Sequence, residues 1–330
     1  MNSKPALLVV LKNGLAPVAE PIVCDDFRGS RSLLGEGTVL PKPVCTWGAK
    51  IDACMLLASR ISQSRAVVLY DSSLTPNPSP ELSIPADTYL AGRCTSAFDV
   101  AWELMSVDLL PEWGAVLASS QTGGRGRMRK PWVSPRGNLH VVFRLPRLMA
   151  DLGSPASVLA GHLLVRAFRK AGFHLLLKWP NDLLDSSGRK VGGLLLEERD
   201  GILLAGLGVN LQEAPRAEGL RKEGAPPAGV LFADAGGEEH SPPAPFALWR
   251  ALVSGVIEAY DEDVRGVDPS ESVARAALHL AWKNRRVRVE DADGVVEGIC
   301  MGLTPAGGLL LNVNGVDREI LSGSLFPSDL

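Results

Sequence analysis

Residues 174–209 constrain the fold of this chain more than any other stretch. Four apolar runs, 174–179, 182–184, 191–198 and 202–209, alternate with turn signals, among them Asp185-Ser186-Ser187-Gly188 and Asp200-Gly201. Asp and Gly tolerate the left-handed backbone that short hairpin turns need, so these tips predict antiparallel pairing of neighbouring strands. The region is therefore expected to form a largely antiparallel sheet.

The flanking sequence adds helices to that sheet. Phe98, Ala101, Trp102, Met105 and Leu109 recur at helical spacing and predict a helix over 98–110. Residues 115–118 read as a strand running into a loop rich in glycine and arginine, and 138–145 as another strand. Ser154-Pro155 is a helix start, a cap residue followed by proline at the first helical position, and Gly172 suits its end. A further helix is expected over 246–260, after a Pro-, Gly- and Ala-rich stretch, 213–245, that predicts a long, mobile connection. From residue 285 the pattern changes to short strands, 286–289, 295–301, 308–313 and 318–321, with turns at Asp291-Ala292-Asp293-Gly294 and Asn314-Gly315. Such a tail suits a small barrel. Toward the N-terminus, 6–11 and 66–70 read as buried strands, 51–61 as a short helix, and the proline-rich 74–80 as a linker.

With 330 residues and a net charge of −3, the chain is long enough for two or three domains and has no global attraction to nucleic acid or membrane. Five cysteines lie scattered without metal spacing, which predicts reduced thiols in a reducing compartment. The five histidines are equally dispersed, so no structural zinc site is expected. No apolar run reaches the length of a membrane span. Residues 1–10 carry one lysine and a short apolar run but no following cleavage site, so the expectation is a cytoplasmic protein.

Four segments carry chemistry. The first is Gln121-Thr122-Gly123-Gly124-Arg125-Gly126-Arg127-Met128-Arg129-Lys130-Pro131-Trp132. Its charges predict a solvated loop, its glycines allow close approach to a ligand, and its guanidinium groups suit phosphate or carboxylate. The spacing fits neither a Walker loop nor a dinucleotide fingerprint, and on composition alone a basic surface loop is an equal reading. The second, Lys178-Trp179-Pro180-Asn181-Asp182, places an ammonium beside an amide and a carboxylate, a set that could hold a phosphate with its magnesium or form an ordinary turn. In the third, Lys190-Val191-Gly192-Gly193-Leu194-Leu195-Leu196-Glu197, paired glycines interrupt an apolar strand, as happens at a bulge or beneath a ligand. The fourth, Gly206-Leu207-Gly208-Val209-Asn210, leaves one amide side chain at a strand end.

Taken in order, these segments resemble the catalytic domain of biotin–protein ligases, also called biotin–[acetyl-CoA carboxylase] ligases. That family carries a Gly-Arg-Gly-Arg loop with tryptophan soon after it, then Lys-Trp-Pro-Asn-Asp, Lys-x-Gly-Gly-x-Leu-x-Glu and Gly-x-Gly-x-Asn. The resemblance spans roughly residues 93–260. It implies an α+β, biotin/lipoate ligase-like catalytic domain over 89–275 with a mixed, largely antiparallel sheet. An SH3-like β-barrel would occupy 276–330 and an N-terminal α/β extension 1–88.

The resemblance also implies the chemistry. Biotin would be activated by ATP and Mg²⁺ as biotinyl-5′-AMP, then transferred to a lysine of the biotin carboxyl carrier protein of acetyl-CoA carboxylase. By motif position, Arg125, Arg127 and Lys190 resemble the catalytic residues. Thr95, Ser96, Gln121, Gly124, Trp132 and Gly193 join them on the biotin side. Lys178, Asn181, Asp182 and Asn210 fall on the ATP side, Asp182 also as a magnesium ligand. Two related activities are the alternatives: a bifunctional ligase that also represses biotin genes, and a lipoate–protein ligase. Residues 1–88 lack a clear helix-turn-helix pattern, so DNA binding is not expected, whereas a homodimer through the catalytic sheet fits the family.

Three departures from the family pattern stand out. Met128-Arg129-Lys130-Pro131 replaces a further Arg-Gly-Arg. The family's Ser-Thr-Asn has no clean match, with Cys94-Thr95-Ser96 and Ser96-Ala97-Phe98 both able to occupy its place. No C-terminal arginine is evident around Ser322-Gly323-Ser324.

Overall fold

The computed structural model describes strand segments 7–11, 15–18, 20–22 and 67–71, and residues 85–106, 108–215, 225–231, 244–291 and 294–328. The early strands are β1 (Leu7–Leu11), β2 (Leu15–Val18), β3 (Glu20–Ile22) and β4 (Val67–Asp71). Then come β5 (Thr88–Cys94), α1 (Ala97–Ser106), β6 (Ala115–Gln121), β7 (Leu139–Arg144), α2 (Arg147–Asp151) and α3 (Ala156–Lys170). The meander is β8 (Leu176–Lys178), β9 (Asp182–Leu184), β10 (Lys190–Arg199) and β11 (Ile202–Val209). Helices α4 (Pro245–Asp263) and α5 (Pro269–Ala276) lead to β12 (Arg286–Glu290), β13 (Val295–Leu303), β14 (Leu309–Val313), β15 (Val316–Ile320) and β16 (Ser324–Pro327).

Among the described residues, nine strands form one mixed sheet in the order β4-β1-β5-β6-β7-β11-β10-β9-β8. Only β1–β5 and β5–β6 run parallel, and the other neighbours are antiparallel. The tight tip between β10 and β11 is built as its sequence requires. Asp200 and Gly201 both take positive φ, 50° and 71°, the geometry of a two-residue hairpin turn that matches strand twist. The free edge of β8 is covered, because Ala281 donates its N–H to the Leu177 carbonyl at 2.9 Å.

Alternation along the central strands divides the core between the two faces. Leu117, Val141, Phe143, Ala205 and Leu207 pack with Leu163, Phe168, Trp249, Leu252 and Val256 of α3 and α4. Val116, Ala118, Val142 and Leu204 face the other way and meet Phe98, Ala101 and Leu104 of α1. Because α1 is only 10 residues long, it covers part of that face. The neighbouring part is roofed by the glycine–arginine loop instead.

Several local readings need correction. The helix expected to reach residue 110 ends at Ser106, and the chain turns there, with Leu109 N–H bonded to the Leu104 carbonyl and Asp108 at φ 54°. Pro155 sits in the cap position of α3, not its first turn. The stretch expected to be a mobile connection is pinned at 225–231. Lys190 N–H donates to Pro227 O at 2.7 Å, Gly229 N–H to Lys190 O at 2.9 Å, and Leu231 N–H to Asn210 O at 2.8 Å. Proline removes its own donor but keeps its carbonyl, and that carbonyl still pairs with β10. Helix α5 was not foreseen, although Asp268 caps it by accepting from Ser270 N–H at 2.9 Å.

The C-terminal strands form a five-stranded antiparallel sheet in the order β15-β14-β13-β12-β16, one strand more than expected. Its Val287, Val289, Cys300 and Leu311 belong to the same core as the nine-stranded sheet, and Trp179 Nε1–H donates to Gly307 O at 3.0 Å. The expected helix at 51–61 and linker at 74–80 lie outside the described residues. Among the described residues no helix is long and apolar enough to cross a membrane.

Candidate active site

A cavity of about 520 Å³ lies on the α1 side of the sheet, beside the part that α1 covers. Its floor is the row Gly193–Gly208–His140 across β10, β11 and β7, with Leu195–Gly206–Val142 as the next row. The glycines of β11 are seats for rings. A Cβ on Gly208 would stand 2.5 Å from the Trp132 indole, and one on Gly206 would stand 2.5 Å from Phe98. A side chain at Gly193 would meet Trp132, Asp182 and Lys190, all within 3.6 Å.

The roof is the loop after β6, and it folds back on itself as an irregular hairpin. Trp132 N–H bonds to Gly124 O at 2.9 Å, Gly126 N–H to Lys130 O at 2.8 Å, and Gln121 N–H to Ser134 O at 3.3 Å. Gly124 cannot be larger, since its Cβ would lie 2.3 Å from the Trp132 carbonyl oxygen. Met128, at φ 54°, forms the exposed tip.

The two arginines of the loop have different surroundings. Arg125 turns away toward α1 and β10, with Nη2 2.8 Å from Asp99 and Nε 3.2 Å from Glu197. Glu197 is itself oriented by the Trp102 Nε1–H at 2.9 Å. The charge of Arg125 is thus matched within the fold, which the sequence did not signal. Arg127 reaches inward, donating to Asn181 Oδ1 at 3.4 Å. Burial lowers its pKa, against the opposing influence of Asp182.

The polar end is a triad from three consecutive segments. Asp182 Oδ2 lies 2.9 Å from Lys178 Nζ and Oδ1 lies 2.6 Å from Lys190 Nζ. Burial works to raise the Asp182 carboxyl pKa, but Lys178 and Lys190 outweigh it and hold the value at about 2. Asn181 Nδ2–H donates to Leu194 O at 2.6 Å, and Asn210 Nδ2–H to Gly229 O at 3.0 Å, tying the strap at 225–231 over this end. Pro215, Ala225, Pro226 and Ala228 line the cavity there. From the C-terminal sheet, Gly323, Ser324 and Phe326 complete the wall, the Phe326 ring 6.0 Å from Lys178 Nζ.

Arg125, Arg127, Gln121, Trp132, Lys178, Asn181, Asp182, Lys190, Gly193 and Asn210 therefore meet around one cavity. Thr95 and Ser96 do not line it. Ser96 is buried and caps α1, accepting from Phe98 N–H at 3.3 Å, while the Thr95 carbonyl accepts from Gly123 N–H at 2.8 Å. Ala97 and Phe98 form the wall at that place. Gly124 likewise packs against the Trp132 carbonyl within the roof and does not line the cavity. Asp182 does not fit as a magnesium ligand, since both its oxygens are engaged by ammonium groups, and no cluster of metal-binding side chains occurs among the described residues. His140 went unnoticed in the sequence, because a lone histidine in an apolar strand reads as core, whereas Phe98 belongs to Ser96-Ala97-Phe98, one of the two segments read as able to stand in the Ser-Thr-Asn place.

Comparisons with known proteins show what the chain is similar to. The Biotin/lipoate A/B protein ligase family matches residues 91–212. The biotin–[acetyl-CoA-carboxylase] ligase of Paracoccus denitrificans is 37% identical over 203 residues, 56% of this chain and 79% of that protein. The bifunctional ligase/repressor BirA of Bacillus subtilis (strain 168) is 34% identical over 114 residues, 32% of this chain and 34% of that protein, so the chain spans about a third of that relative. Among solved structures, the biotin protein ligase from Aquifex aeolicus in complex with biotin and ATP is similar at a TM-score of 0.51 and 25% identity, over 66% of this chain and 91% of that one.

Proposed function

We propose the working of this site from one premise: the chain belongs to the biotin–protein ligase family. It activates biotin with ATP and ligates it to protein. The biotin carboxylate attacks the α-phosphorus of ATP, forming biotinyl-5′-AMP and expelling pyrophosphate. The amine of a carrier lysine then attacks the acyl carbon of that mixed anhydride, forming an amide and releasing AMP. A biotin carboxyl carrier protein is the acceptor this chemistry fits.

The observation that carries the reading is the shape of the cavity. One end is apolar, walled by Ala97, Phe98, Val142 and Leu195, and the other holds Lys178, Lys190 and Arg127 around Asp182. Biotin's rings suit the first end, and its carboxylate then points at the cations. Lys190, about a third exposed, is the free-facing member of the pair that Asp182 holds. Its ammonium would neutralise the repulsion between carboxylate and α-phosphate, and charge built up in the transition state is stabilised best by donors already fixed in place. Lys178 is nearly buried and sets the position of Asp182 instead. Magnesium would enter as part of the Mg·ATP substrate, because among the described residues that line the cavity Asp182 is the one carboxylate and both its oxygens are held by lysines.

The loop hairpin carrying Arg127 and Trp132 would shield the anhydride from water. The described cysteines, Cys94 and Cys300, are free thiols, which suits a reducing compartment such as the cytoplasm. The test is direct. Purified protein with Mg·ATP and biotin is expected to release pyrophosphate, and to biotinylate an added carrier domain. Pyrophosphate release with lipoate and not with biotin would overturn the assignment.

A further inference from the structure

His140 belongs to β7, where it pairs across to Gly208 of β11, which pairs in turn with Gly193 of β10. It thus ends the glycine row of the cavity floor and lines the cavity while only 2% exposed. Its Nε2 lies 3.0 Å from the Pro135 carbonyl oxygen. A carbonyl can only accept, so Nε2 carries the proton. Burial depresses the pKa of the ring to about 4, against the raising effect of Pro135, so the ring is neutral at pH 7. Nδ1 is then a bare lone pair, buried without a partner. An acceptor left unmade in a protein interior calls for an explanation, and a ligand is one.

The chemistry of the apolar end narrows what that ligand must present. Ala97, Phe98, Val142, Leu195 and Gly206 offer no side-chain acceptor. Gln121 is committed on both sides, its Oε1 accepting from Ala97 N–H and its Nε2–H donating to Ser134 Oγ, each at 2.8 Å. The second orphan at this floor is a donor, Trp132 Nε1–H, on the indole that rests over Gly208. A buried acceptor and a buried donor around one glycine suit a cyclic urea, whose ring holds an N–H and a C=O on the same edge.

Resting on the reading of this cavity as the biotin site, we propose that His140 is a specificity-determining residue whose Nδ1 accepts a hydrogen bond from a ureido N–H of biotin. The contact forms as the ligand enters beside the Trp132 indole, which stays seated on Gly208. A dithiolane such as lipoate's has no N–H, and a site that buries an acceptor rejects an analogue that cannot satisfy it.

Steady-state pyrophosphate release with d-biotin separates this role from a packing role. His140→Phe is expected to raise the KM for biotin about tenfold or more, with kcat and the KM for ATP changed less than about threefold. His140→Gln, which restores an acceptor, is expected to recover part of the loss. On the wild-type protein, ¹⁵N-histidine spectra report Nδ1 directly, and its far-downfield signal is expected to move upfield when d-biotin is added without ATP. That reading stands even where a variant fails to fold. Wild type that turns over biotin while the Nδ1 signal stays put would overturn this assignment alone. Wild type that releases no pyrophosphate with biotin would instead overturn the functional reading beneath it.

Discussion

Lys190 and Asp182 meet at 2.6 Å across the neighbouring strands β10 and β9, and the second oxygen of the same carboxylate lies 2.9 Å from Lys178. One carboxylate thus holds two ammonium groups and leaves a net positive charge at the polar end. Lys190→Gln removes the more exposed of the two and leaves the Lys178–Asp182 pair intact. Pyrophosphate release is expected to fall about 100-fold or more, while the melting temperature drops by only a few degrees because Lys178 still pairs with Asp182. Loss of less than about threefold would take Lys190 out of the adenylation step.

The same triad predicts a pH dependence of stability. Burial alone would raise the Asp182 carboxyl pKa, but Lys178 and Lys190 bring it to about 2, below its ordinary value of 3.8. A depressed folded-state pKa contributes stability above the ordinary value and loses it as pH falls toward 2. Asp182→Asn is expected to cost about 2 kcal/mol at pH 7, and less of that difference should survive at pH 3. Denaturant titrations of both proteins at the two pH values check it. An equal gap at pH 7 and pH 3 would mean that the lysines contribute no such linkage.

Gly208 is the position where floor and roof touch. A Cβ there would stand 2.5 Å from Cε2 and Nε1 of Trp132, and a rigid indole cannot yield as a flexible chain end would. Gly208→Ala should therefore lift Trp132 off the floor, costing about 1–3 kcal/mol in stability from overpacking and raising the KM for biotin. Unchanged biotin kinetics in a folded Gly208→Ala protein would show that the indole's seat is irrelevant to binding.

Much of this architecture was legible in the residues. Strands β9 and β11 fall on their expected bounds because turn chemistry brackets them: Pro180-Asn181 before β9, Asp185 to Gly188 after it, and Asp200-Gly201 before β11. Part of the polar end was legible too, since Lys178 and Asp182 lie four residues apart around one turn, whereas the meeting of Lys190 with Asp182 depends on the strand register. What stayed hidden depends on distant segments. The pairing of Arg125 with Asp99 and Glu197, the strap at 225–231 over Lys190, and Phe326 in the wall all bring together residues far apart in the chain. The Gly206-x-Gly208 segment was read only for the Asn210 amide at its end, and nothing local says that the rings of Phe98 and Trp132 rest on those glycines.

A second buried carboxylate, away from the cavity wall, supports the helical layer. Asp263 at the end of α4 is 5% exposed and accepts from His162 Nε2 at 2.9 Å and Arg166 at 2.5 Å through one oxygen, and from Arg275 at 2.7 Å through the other. It links α3, α4 and α5, and its backbone carbonyl takes the Ser272 hydroxyl at 2.6 Å. Burial would raise its pKa, but Arg166, Arg275 and His162 together hold it at about 2. Asp263→Asn keeps the shape but unpairs two guanidinium groups, and because each is about a third exposed, water offsets part of the loss and the cost is about 1–2 kcal/mol. Because Asp263 touches no cavity residue named above, pyrophosphate release per folded molecule at 25 °C should match wild type while the denaturation midpoint falls. A matching fall in kcat at full folding would instead mean that α3, α4 and α5 set the geometry of the site.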